Sequence, residues 1–142
     1  MLQIQQLLFI ISICNIGIIE GYEMSAEKIP EVNENEVLGK ATLSASAKLG
    51  ISQQQLESII GRNRSSINRS GINPKSKEGE LSLLLIRCYR SLHALMGGDD
   101  ANIKHFMRTR NQVTKGVPQE QIYTIGGLVC LVQFLDAIRG RA

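Results

Sequence analysis

Apolar side chains recur in this chain every three to four residues, and glycine interrupts them repeatedly; that combination constrains the fold more than any other feature. Val37, Leu38, Ala41, Ala45 and Leu49 follow a helical period, and Gly50 ends it. Ser52 followed by Gln55 has the form of a capping box, opening a second helix on Leu56, Ile59 and Ile60 that Gly61 stops. Asn63 suits the N-cap of a third, short helix from Arg64 to Ser70, anchored by Ile67 and closed by Gly71, Asn73 and Pro74. Lys75 to Gly79 reads as a charged linker. Beyond it, Leu81, Leu84, Leu85, Cys88, Leu92 and Leu95 make one helical stripe with Arg87 and Arg90 turned away. The turn at Gly97 and Gly98 follows, and Asp100 is placed to cap a helix through about Arg110 on Ile103, Phe106 and Met107. Pro118 fits the first turn of a short helix over Gln119 to Tyr123. Gly126 and Gly127 precede a last helix whose buried face is Leu128, Leu131, Val132, Leu135 and Ile138. No strand pattern competes outside the N-terminal segment, so the expectation is an all-α chain: a small front unit over 37–74 and a larger back unit over 80–142.

The N-terminal residues need a separate account. Leu7 to Ile19 form a nearly unbroken apolar run of 13 residues, short of the roughly 20 that span a bilayer. No Lys or Arg precedes Lys28, so the cationic start of a secretory signal is missing. Two readings stand for 1–23, a misassigned extension ahead of a start at Met24 or a membrane anchor, and the first is preferred. Residues 24–36 are acidic and polar and read as a flexible lead-in. Cys14, Cys88 and Cys130 are widely spaced, with no Cys-x-x-Cys pair, so they signal neither a disulfide framework nor a zinc site. Cys88 and Cys130 fall within apolar helical patterns as small core residues, and a reducing, cytoplasmic compartment fits.

Charge divides the chain. Six acids and one base precede Val37, so the net +3 from 16 bases and 13 acids leaves +8 on residues 37–142. A polyanion is therefore a reasonable partner for the body. Two short helices joined at Gly61, with Leu56, Ile60 and Ile67 facing inward, have the arrangement of a helix-turn-helix. Its outward face would carry Arg64, Ser65, Asn68 and Arg69, flanked by Arg62 and Ser66. Arg can donate two bonds to guanine, Asn pairs with adenine, and Ser and Arg bind phosphate. Five bases and no acid lie between Ser58 and Lys77; neutralising about five phosphates would give a log-affinity versus log-salt slope of roughly −4 to −5. The competing reading is a helical hairpin with a solvated charged face, and Glu57 sits where a small residue would let the helices approach.

Other chemistry is sparse. His93 and His105 lack ligand spacing, and Asp99-Asp100 reads as a turn and cap. No phosphate-binding glycine motif, nucleophile triad or Cys-His pairing is present, so neither an enzyme nor a cofactor is expected.

The back half carries a resemblance. HALMGGDDANIKHF followed by MRTRNQVTKGVPQEQIYTIGGLVCLVQFLDAIRGR resembles the toxin-binding domain of Xre/MbcA/ParS-type antitoxins, through Gly98, Asp99, Phe106, Asn111, Gly116, Pro118, Gly126, Leu135, Ile138 and Gly140. Residues 37–74 are similar to the Xre-like helix-turn-helix that precedes it. Phe106 stands where the family usually has Trp, and Glu57 where it usually has a small residue. The resemblance implies an antitoxin of a type II toxin–antitoxin system that neutralises a cognate toxin, often an NAD-depleting RES-domain protein, and represses its own operon. It implies DNA contact by Arg62, Arg64, Ser65, Ser66, Asn68 and Arg69, and toxin contact by Asn111, Gly116, Pro118, Asp136, Arg139, Gly140 and Arg141. Operator DNA and a homodimer are the further partners implied, because a twofold protein matches a palindromic site. The alternatives are a stand-alone Xre-like transcriptional regulator or a membrane-tethered helical interaction protein.

Overall fold

The computed structural model describes residues 32–141, and the expectations for 1–31 lie outside the described residues. Among the described residues seven helices follow one another: α1 Glu34–Leu49, α2 Gln53–Ile60, α3 Arg64–Ser70, α4 Lys77–Leu95, α5 Asp100–Arg108, α6 Pro118–Gln121 and α7 Ile125–Arg139. No strand occurs among the described residues, and the one extended pairing is an isolated bridge between Asn111 and Gly116. The all-α expectation holds.

Helix ends show how side chains set these boundaries. Asn33 Oδ1 accepts from the amides of Asn35 and Glu36, and Glu34 and Glu36 favour the positive end of the helix. Helix α1 therefore starts at Glu34, inside the stretch expected to be a lead-in. Its inward face is Leu38, Thr42, Ala45, Ser46 and Leu49, while Val37 is 53% exposed. The expected linker at 75–79 is likewise helical from Lys77, because Ser76 Oγ accepts from the Gly79 amide at 3.0 Å. Asp99, not Asp100, caps α5: its Oδ1 accepts from Ala101 and Asn102. Thr124 starts α7 at Ile125, one turn ahead of the expected place, and the helix takes in Gly126 and Gly127.

The core is organised on α4, which packs against α1 on one side and α7 on the other. Leu85, Cys88 and Leu92 have no exposed surface, and one continuous cluster runs from Leu38 and Leu49 through them to Ile103, Met107, Leu128 and Leu135. The expected front and back units thus share a single core. Thr42 and Ser82 are fully buried at the crossings; their hydroxyls donate to the carbonyls of Leu38 and Glu78, each at 2.7 Å. On α7, Ile138 is 38% exposed and Cys130 is exposed, so the helix turns neither of them into the core as the period suggested.

Candidate nucleic-acid interface and partner-binding end

Helices α2 and α3 form the expected pair. Ser52 and Gln55 exchange hydrogen bonds as a capping box, and Gly61 ends α2 at φ 83°. Asn63 Oδ1 then accepts from the Ser66 amide at 2.8 Å and opens α3. Ile67, 2% exposed, is the inward anchor of α3, seated against Gly39 of α1. The C-terminal end of α3 is pinned by the Ile72 amide, which donates to Asn35 O at 2.9 Å. Gly71 there has φ 66°, and a Cβ on it would lie 2.2 Å from that same oxygen. Helix α3 is therefore held at both ends and at its centre, leaving its outer side to solvent.

Arg64, Ser65, Asn68 and Arg69 are exposed on that side and form no side-chain hydrogen bond or ion pair among the described residues. Arg62 and Ser66 are placed differently. Arg62 Nη2 donates to Ser66 Oγ and Ser70 Oγ, each at 2.8 Å, so its guanidinium lies along α3 as a brace. Arg62 also helps hold the Glu78 carboxyl below its usual range, after bonds from the Glu78 backbone and Ser76. Glu57 is exposed, and its carbonyl accepts from the Gly61 amide, so its side chain does not separate the two helices.

The seven residues of the expected partner surface fall in two places. Asn111, Gly116 and Pro118 build a loop: Asn111 N donates to Gly116 O at 2.8 Å, and Asn111 Oδ1 accepts from Val113 and Thr114. Gln121 Nε2 closes the loop onto Thr114 O, and Pro118 is buried at the start of α6. The loop presents Val113, 70% exposed. Asp136, Arg139, Gly140 and Arg141 lie at the end of α7. Asp136 accepts from Arg87 Nη2 at 2.7 Å and from Ser91 Oγ at 3.2 Å, joining α7 to α4, while Arg139, Gly140 and Arg141 are exposed. No hydrogen bond or ion pair among the described residues joins the loop to the helix end.

Sequence reasoning missed two features here. Arg87, Arg90 and Arg139 surround a concavity of about 270 Å³ with Leu83 and Ile86. Helical phase puts Arg87 outside the core, but its bond to Asp136, far along the chain, has no local signal. Tyr123 and Ile125, 43% and 66% exposed, flank the Thr124 cap and add apolar surface beside α7; the step from α6 to α7 sets them outward.

His93 Nδ1 lies 3.2 Å from Tyr89 Oη and His105 Nε2 lies 3.4 Å from Thr109 Oγ1. No three His, Cys, Asp or Glu side chains converge among the described residues. Burial, with a smaller contribution from Asp136, pushes the Cys88 thiol up to about 12.

Residues 30–87 match the antitoxin Xre-like helix-turn-helix domain, and residues 91–141 match the antitoxin Xre/MbcA/ParS C-terminal toxin-binding domain. No curated protein matches the chain. The two matches meet within α4, the helix that carries the common core. With a helix-turn-helix whose outer face is free and a toxin-binding domain directly after it, the chain belongs to the Xre/MbcA/ParS antitoxins, DNA-binding members of toxin–antitoxin systems.

Proposed function

We propose that this antitoxin neutralises a RES-domain toxin that depletes NAD and, with that toxin, represses its own operon in the cytoplasm as a homodimer. The observation that carries the repressor half is the outer face of α3, where Arg64, Ser65, Asn68 and Arg69 stand unbonded on a helix fixed at both ends. Arg64 and Asn68 are one turn apart, the spacing at which two side chains reach neighbouring base edges. Ser65 and Arg69 serve the phosphates, and Arg62 with Ser66 orients the helix. A twofold operator would be met by two copies of this face.

The toxin half rests on the end of α7. Arg139 and Arg141 place two guanidinium groups at a helix terminus, and such groups suit an active site made for a dinucleotide's phosphates. Asp136, bonded to Arg87 and Ser91, fixes the helix from which they project. Asn111, Gly116 and Pro118 act by shaping the loop that presents Val113. The working division is a DNA-reading front over 37–74 and a toxin-reading back over 80–142, resting on one core. No helix among the described residues is long and apolar enough to cross a membrane.

Coexpression with the product of the neighbouring gene tests the reading. That product should arrest growth alone, lower cellular NAD, and be silenced beside this chain. A harmless neighbour, or one that stays toxic, overturns it. Arg64→Ala with Asn68→Ala should abolish binding to DNA upstream of the chain's own gene and leave neutralisation intact; loss of both activities would defeat the proposed division.

A further inference from the structure

The surface around α3 does not stop at the helix-turn-helix. A concavity of about 450 Å³ lies between α1 and α2, lined by Leu43, Ala47, Ile51 and Leu56 and edged by Arg64, Gln53 and Ser52. A second, of about 570 Å³, opens on the other side of the α2 N-terminus and is bordered by Ser52, Gln54, Ser58, Arg108 and Tyr123. Ser52 borders both, so the two adjoin at the α2 N-terminus, and a track from Arg64 past Ser52 to Arg108 can be drawn across them. No acid borders either of them, and Arg64 and Arg108 are the charged residues at their edges.

Arg108 is exposed and forms no ion pair among the described residues. It lies one turn after Lys104 on α5, and both side chains lean over the α1–α2 turn: their nearest atoms are 3.7 and 3.2 Å from where a Cβ on Gly50 would sit. The C-terminal half is tied to this turn through Gln119, whose Nε2 donates to Gly50 O at 3.4 Å and Gln55 Oε1 at 3.3 Å. The position of Arg108 relative to α3 is thus set by the fold. On the far side, Glu120 joins Arg108 around a smaller concavity without pairing with it, which limits how far an anion could extend.

We propose that the backbone of the duplex engaged by α3 continues along this track and that Arg108 holds one of its phosphates, giving the toxin-binding half a direct part in DNA binding. The inference rests on the reading that α3 enters DNA. A single cation facing phosphate adds affinity without sequence preference and adds about 0.9 to the salt slope.

The test is fluorescence anisotropy of the full chain, titrated over a range of salt with the duplex upstream of its own gene and with an unrelated duplex of equal length. Arg108→Ala should weaken both by the same factor, roughly 8-fold at 0.1 M monovalent salt, and reduce the slope by about 0.9. Arg108→Lys should restore the slope, and the thermal melt of each variant should match wild type. Unchanged affinity and slope in Arg108→Ala, with wild type binding normally, overturns the proposal and leaves the α3 reading standing. A loss confined to the upstream duplex with the slope intact also overturns it, because Arg108 would then be reading a base. Failure of wild type to bind either duplex defeats the α3 reading and this proposal with it.

Discussion

Cys88 and Cys130 show how a single residue's surroundings decide its chemistry. Both lie in apolar helical runs, yet Cys88 is enclosed between α4 and its neighbours and Cys130 faces solvent. Burial first and the Asp136 charge second hold the Cys88 proton, raising its pKa from 9.0 to about 12. The folded chain therefore binds this proton more tightly than the unfolded chain does. Stability from this group is whole below pH 9 and is lost as pH climbs toward 12. At pH 8 a thiol reagent should modify Cys130 in the native protein and Cys88 only after denaturation, as mass mapping will show; rapid native labelling of Cys88 would contradict the packing. Glycines divide in the same way. Gly61 has φ 83° with nothing within 4 Å of a Cβ, so Gly61→Ala should cost about 1 kcal/mol in urea unfolding. Gly71→Ala adds a clash with the backbone of Asn35 and should cost well beyond that, loosening α3 and DNA binding together. The sequence marks both glycines as breaks but not the close approach that separates them, because Asn35 is remote in the chain.

Helix by helix, the spacing of residues reveals whatever is settled within four positions. The capping box of Ser52 and Gln55, the Asn63 cap and the Gly50 and Gly61 ends are local chemistry, and they fall where the spacing put them. The start of α4 was hidden because a charged KSKEG run resembles a linker, while the Ser76 cap and the close packing of Gly79 on Asn73 make it helix. Which cations around α3 are free is hidden too. Arg62 braces the helix through Ser66 and Ser70, whereas Arg64 projects unbonded. Arg62→Ala should therefore lower stability by about 1 kcal/mol, and Arg64→Ala should leave the melting temperature unchanged while weakening DNA binding. Equal melting temperatures for the two variants would remove the brace. Ser52→Ala, which breaks the box at the head of α2, should cost about 1 kcal/mol by the same measurement.

At the scale of the molecule, the pattern of short glycine-broken helices followed by longer ones suggested two units, and the described structure joins them through α4. That helix lies against α1 and α7, and Leu85, Cys88 and Leu92 are shielded from solvent by both halves. A helical period says which face is apolar but not which partner covers it, so a shared core was not visible in the spacing. The arrangement has a thermodynamic consequence, since the side of α4 that faces α1 is buried only when the two halves are together. Leu85→Ala should cost about 3 kcal/mol or more, because the surrounding helices can close the void only in part. The loss should lower amide protection in α2 and α7 by the same amount, and urea unfolding should remain one transition by fluorescence and circular dichroism. A loss of protection confined to one half, or two resolved transitions, would mean that the front and back halves fold independently. If they unfold together, a toxin bound anywhere on the C-terminal domain stabilises α3 through the common core, and occupancy of one surface favours the folded form of the other.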